Sequence, residues 1–147
     1  MVIEVRPGLR ENQIAPLVRN VTKAQITVFH CFNALNNTDF LEGDFEIQDV
    51  KLPCSSMIRE VVLLRTFEAG ADAVLVLACP LDTCHYVQGN LRAAKRVARV
   101  KKMLDEIGLD GRRLNLFNIP QGDQATVTEI INRTVSDLVN LGPSPAR

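Results

Sequence analysis

The spacing of apolar and polar residues changes period several times along this 147-residue chain, and each change marks an element. Ala24 to Cys31 (AQITVFHC) is rich in β-branched and aromatic residues and predicts a first strand. Phe45 to Leu52 (FEIQDVKL) predicts a second. Ala73 to Ala78 is wholly apolar, the pattern of a central parallel strand covered on both faces. Leu114 to Ile119 predicts a fourth. Helical spacing fills the intervals. Ser55 and Ser56 are candidate caps for a helix running to about Ala69 and ended by Gly70. Asn90 is the candidate cap of a helix from Leu91 to Ile107, stopped by Gly108, with Ala93, Val97, Val100, Leu104 and Ile107 as one apolar stripe. Thr126 to Leu141 predicts a last helix that turns Val127, Ile130, Ile131, Thr134, Leu138 and Leu141 inward. The stretch 32–44 (FNALNNTDFLEGD) reads as a loop or a short helix, and Asn12 to Val21 as a short helix.

Strands alternating with helices predict a single α/β domain. Its sheet is expected to be small and mostly parallel, with about four strands, one half of a flavodoxin-like or Rossmann-like arrangement carrying helices on both faces. The divisions are an N-terminal extension over 1–24, the α/β domain over 25–141 and a C-terminal tail over 142–147.

Composition narrows the class of function. Seventeen basic and seventeen acidic residues balance, which argues against a nucleic-acid binder. The longest apolar runs, such as AVLVLAC, fall far short of the ~20 residues that cross a bilayer, so no membrane insertion is expected. The N-terminus, MVIEVRPGLREN, lacks the apolar core of a signal peptide, which points to the cytoplasm. In a reducing compartment, clustered cysteines suggest metal binding or catalysis more than disulfides.

The four cysteines carry the candidate chemistry. Cys31, Cys54 and Cys79 each stand at or just beyond the end of a predicted strand, and Cys84 follows five residues after Cys79. Parallel strands would gather them at the carboxyl edge of the sheet, where such folds bind ligands. Cys54 precedes the Ser55-Ser56 cap and Cys84 precedes the Asn90 helix, positions at which backbone N–H groups favour thiolates. Zinc sites usually draw on close cysteine pairs, and here only Cys79 and Cys84 are close. Their C-x4-C spacing is part of the plant-type [2Fe–2S] pattern. The plain alternative is four cysteines that pack as small apolar side chains.

The block ACPLDTCHYVQGN and the basic helix after it resemble the delta subunit of methyl-viologen-reducing hydrogenase, a family of small iron–sulfur proteins. PCSSMI and FEAGADAVLVLAC resemble that family's segments upstream, so the resemblance spans roughly 26–119. It implies an electron-transfer subunit that carries a [2Fe–2S] cluster on Cys31, Cys54, Cys79 and Cys84. It further implies partners: a hydrogenase, formate dehydrogenase or similar donor, and a flavoprotein of the heterodisulfide-reductase type. The family's first motif is cysteine-x2-cysteine, whereas this chain keeps Cys31 and has Ala34 at the second position.

His85, Tyr86 and Asn90 are candidates for the residues around such a centre: His85 as a hydrogen-bond donor, Tyr86 as a shield from water and Asn90 as a helix cap. His30 is expected to pack in the core. Arg92, Lys95, Arg96, Arg99, Lys101 and Lys102 make the 91–107 helix basic, either a solvated face or a docking surface for an acidic partner. No dinucleotide, Walker, nucleophile-elbow or His-Glu-x-x-His motif is present, and the family resemblance implies a non-catalytic electron-transfer subunit of an oxidoreductase complex. The other readings are a zinc-bound or metal-free interaction subunit using the same edge and, last, a flavin binder, for which a Ser/Thr-rich phosphate loop after the first strand is missing.

Overall fold

Four parallel strands lie side by side in the order β2-β1-β3-β4, with β1 at Ala24–Cys31, β2 at Phe45–Leu52, β3 at Ala73–Ala78 and β4 at Leu114–Asn118. The computed structural model describes residues 23–32, 34–80 and 89–145, without the side chain of Asn90. The expected helix at 12–21 lies outside the described residues. β1 pairs on both sides, so that Ile26 stands opposite Ile47 and Ala73, and His30 opposite Lys51 and Leu77. The order steps from β1 to β2 in one direction and then crosses to β3 in the other. β1 therefore marks the switch point of the sheet.

Alternation along the inner strands divides the core in two. Val74 and Val76 of β3 face one side with Phe29 and Leu114, where helices α1 (Glu60–Glu68) and α2 (Gly89–Glu106) bring Leu63, Phe67, Val97, Val100 and Leu104. Ala73, Leu75 and Leu77 face the other with Ile26 and Val28. There α3 (Gln124–Leu141) brings Val127, Ile130, Ile131 and Leu138, and the stretch after β1 adds Ala34 and Leu35. Helices on both faces explain why β3 is buried at every position. β2 is an edge strand, and its burial falls accordingly.

Two expectations change in detail, and of the two readings of 32–44 the loop holds. The helix predicted from Ser55 to Ala69 is two elements, a 3-10 turn at Ser55–Met57 and α1, parted by extended backbone at Ile58 and Arg59. Extending the chain there lets Ile58 enter the core at 2% exposure. α2 begins at Gly89, so Asn90 is its second residue instead of its cap. It ends at Glu106, leaving Ile107 beyond the stripe and 64% exposed. The stretch 32–44 forms turns and no helix among its described residues, with Phe40 and Leu41 packed on the α3 side of the core.

The edge of the sheet at the amino ends of its strands is closed by polar bonds. The buried Arg113 donates to the carbonyls of Asp72, Leu109, Leu141, Gly142 and Pro143. The buried Asp72 carboxylate accepts the amides of Gln25 and Ser144, both at 2.9 Å. Residues 142–144 are thereby tied to the edge opposite the cysteines.

Candidate metal centre

Parallel pairing brings three cysteines to the carboxyl edge of three adjacent strands. Cys31 ends the middle strand β1, opposite Leu52, the last residue of β2. The chain turns at once, because Ala34 and Leu35 both donate amides to the Cys31 carbonyl, at 3.0 and 3.2 Å. Cys54 lies two residues beyond β2, and Cys79 directly follows β3. Asn118, at the end of β4, donates its amide to the Cys79 carbonyl at 2.8 Å. All three cysteines are buried, and Cys31 and Cys79 share the apolar cluster under α3. Cys84, His85 and Tyr86 lie outside the described residues. Among the described residues, no three His, Cys, Asp or Glu side chains are gathered closely enough to hold a metal ion.

The turn after Cys54 is built around its sulfur. Sγ of Cys54 accepts the backbone N–H of Ser56 at 3.4 Å and the Ser56 hydroxyl at 3.2 Å. The cap is thus the cysteine itself, where the sequence predicts the serines. Two donors on one sulfur fix the direction in which that side chain points. The guanidinium of Arg96, reaching from α2, donates to the carbonyls of Ser56 and Ile58, the latter at 2.9 Å. These carbonyls would otherwise continue a helical ladder, so Arg96 stabilises the break between the turn and α1.

Arg99 bonds Glu60 at 2.6 Å and holds that carboxyl below its usual range. Lys101 donates to the Leu114 carbonyl and to the Asn115 side chain. Half of the basic residues on α2 therefore serve internal contacts, whereas Arg92, Lys95 and Lys102 are exposed.

His30 is fully buried, as expected of a core residue, but it is also a polar junction. Its Nδ1 donates to the Leu35 carbonyl at 3.1 Å, and its Nε2 is hydrogen-bonded to Oδ1 of Asp49. Oδ2 of Asp49 accepts both the amide and the hydroxyl of Thr38, at 3.2 and 3.0 Å. One carboxylate on β2 therefore ties β1 to the stretch behind Cys31. Asp49 and Thr38 are not singled out by sequence reasoning. The available signal is alternation: Phe45, Ile47 and Asp49 fall on one side of β2, so Asp49 is a carboxylate continuing an apolar face.

Comparison with known families matches residues 26–142 to the methyl-viologen-reducing hydrogenase delta subunit. The chain belongs to this family. It is 32% identical over 113 residues to the vhu iron-sulfur subunit of the F420-non-reducing hydrogenase of Methanocaldococcus jannaschii, covering 77% of this chain and 84% of that protein. It is 30% identical over 97 residues to the iron-sulfur subunit of the F420-non-reducing hydrogenase of Archaeoglobus profundus, covering 66% and 71%. A subunit of the ferredoxin/F(420)H(2)-dependent CoB-CoM heterodisulfide reductase of Methanosarcina acetivorans is 36% identical over 97 residues. That match covers 66% of this chain and 12% of the larger protein.

Within this delta-subunit fold the Ala34 departure has a definite place. Ala34 is fully buried in the turn after Cys31, and its carbonyl accepts the amide of Gly122 at 3.0 Å. The position where the family resemblance expects a second cysteine is a closely packed methyl in the cluster that holds Cys31 and Cys79. No helix among the described residues of this delta-subunit chain is long and apolar enough to cross a membrane.

Proposed function

We propose that this chain is a cytoplasmic electron-transfer subunit of a redox complex, with a [2Fe–2S] cluster held by the thiolates of Cys31, Cys54, Cys79 and Cys84. The observation that carries the reading is the arrival of Cys31, Cys54 and Cys79 at one edge from three adjacent strands. Relatives named as iron-sulfur subunits support it. The chemistry of the donors fits: thiolates ligate iron, and the sulfur of Cys54 already receives two hydrogen bonds. Such a cluster supplies one-electron transfer when bound. The protein contributes the ligands, a buried setting and hydrogen bonds to sulfur, which together set the potential.

Partners follow from the relatives' names: a hydrogenase or other electron-donating enzyme on one side and a heterodisulfide-reductase-type flavoprotein on the other. Phe32, Met57 and Leu91 are 53%, 56% and 45% exposed near the carboxyl edge, an apolar fringe suited to a protein partner. Arg92 and Lys95 add positive charge beside Leu91.

The test is anaerobic purification with iron, acid-labile sulfide and zinc analysis. A red-brown chain with about two irons and two sulfides is expected. Replacing any one of the four cysteines by serine should abolish or shift the visible spectrum. A colourless chain with one zinc, or with no metal, would instead establish the structural, non-redox reading.

A further inference from the structure

Among the described residues, one buried side-chain oxygen or nitrogen lacks a hydrogen-bond partner, and it belongs to Ser55, next to Cys54. Native proteins rarely leave a buried hydroxyl unsatisfied, and such a group calls for an explanation such as a bound species. Ser55 is 1% exposed, so bulk water does not reach it. Hydroxyls elsewhere in the fold find local acceptors. Thr66, Thr128 and Thr134 each donate to the carbonyl four residues earlier, at 2.8 to 2.9 Å. That route is closed to Ser55, which opens a three-residue turn and has no helical carbonyl behind it. Ser56, the next residue, spends both its amide and its hydroxyl on Cys54. The turn is also held from outside by Arg96, which grips the carbonyls of Ser56 and Ile58. The Ser55 hydroxyl is thus an uncommitted donor in a rigid turn, one residue from a proposed ligand.

We propose that the Ser55 hydroxyl donates a hydrogen bond to a sulfur of the iron–sulfur group at Cys54 and thereby raises its reduction potential. The inference rests on the cluster reading above. The physical reason is charge: reduction adds an electron to the cluster, and an O–H donor stabilises the more negative, reduced form. Ser55 is then the residue that tunes the centre, whereas Ser56 organises the ligand.

The experiment compares the anaerobically purified full-length wild type with Ser55→Ala and Ser55→Thr. Iron and sulfide content is measured first, then the potential by a redox titration followed in visible absorption. Ser55→Ala should keep its iron and sulfide while its reduced-to-oxidised ratio, at a fixed ambient potential, falls roughly tenfold, about 59 mV for one electron. Ser55→Thr, which keeps the hydroxyl, should titrate near wild type. If Ser55→Ala does not fold, Ser55→Gly removes the same donor without needing space, and its titration decides in the same way. A loaded alanine or glycine variant with wild-type potential overturns the Ser55 assignment and leaves the cluster standing. A wild type without iron overturns both.

Discussion

Replacing Asp49 by alanine tests whether the carboxylate on β2 holds the chain behind Cys31. Its loss removes the partner of His30 Nε2 and the oxygen that accepts from both the amide and the hydroxyl of Thr38. His30 has no exposed surface and no alternative partner for Nε2 among the described residues, so the lost charge-assisted bond counts nearly in full, about 1.5–3 kcal/mol. The Thr38 bonds count for less. The Asp49 side chain is 30% exposed, and water can follow the deleted carboxylate to the Thr38 amide and hydroxyl. A total of about 2–3 kcal/mol is expected. At about 2–4 °C per kcal/mol for a chain of this size, melting should fall by roughly 4–12 °C.

The assay is urea unfolding under reducing conditions, with the midpoint lowered and the slope unchanged. Asp49→Asn, which keeps the volume and one acceptor, should lose about 1 kcal/mol. Hydrogen exchange should quicken at the amides of Ala34 and Leu35, whose bonds to the Cys31 carbonyl shape that turn. An Asp49→Ala protein within about 0.5 kcal/mol of wild type, with unchanged exchange at those amides, would refute the idea that this carboxylate ties the two strands to the turn.

Arg96→Met keeps the side chain's apolar stem but strands the carbonyls of Ser56 and Ile58. It should cost about 1–3 kcal/mol in urea unfolding and speed proteolysis between Ser55 and Arg59. Gly111→Ala should destabilise by about 1–3 kcal/mol, because the added methyl would lie 2.6 Å from the Lys101 backbone oxygen; a melt equal to wild type would show that this backbone can shift. The Arg112 guanidinium holds the Asp110 carboxyl down from 3.8 to about 2, so its contribution is present above pH 3.8 and lost as pH falls toward 2. Glu60 and Asp123 shift in the same direction, through Arg99 and Thr126. Acid titration of stability should therefore show a decline from about pH 4 downward, shallower in Asp110→Asn and weakened by salt because the pair is exposed.

The strands were legible because burial leaves a local mark. β3, covered on both faces, had to be apolar at every position, and β1 needed the same on most of its length. The cysteines were legible by position alone, since each of three stands at or just beyond a strand end and parallel strands share one edge. Less was visible in the polar groups. Ser55 and Ser56 looked like ordinary caps, yet the sulfur of Cys54 performs the capping and Arg96, 38 residues beyond Ile58, makes the break in the helix possible. His30 looked like packing, and its partner Asp49 lay in a strand with no motif around it.

The sequence by itself determined where most strands and helices lie, the parallel α/β class and the edge at which Cys31, Cys54 and Cys79 stand, because hydrophobic period and chain punctuation act over a few residues. Only the tertiary structure decided which buried polar groups find partners: His30 with Asp49, Arg113 with the carbonyls around residues 141–143, and Ser55 with none among the described residues. Hydrogen bonds between distant residues depend on which strands and helices come to lie side by side, and no local pattern encodes that neighbourhood.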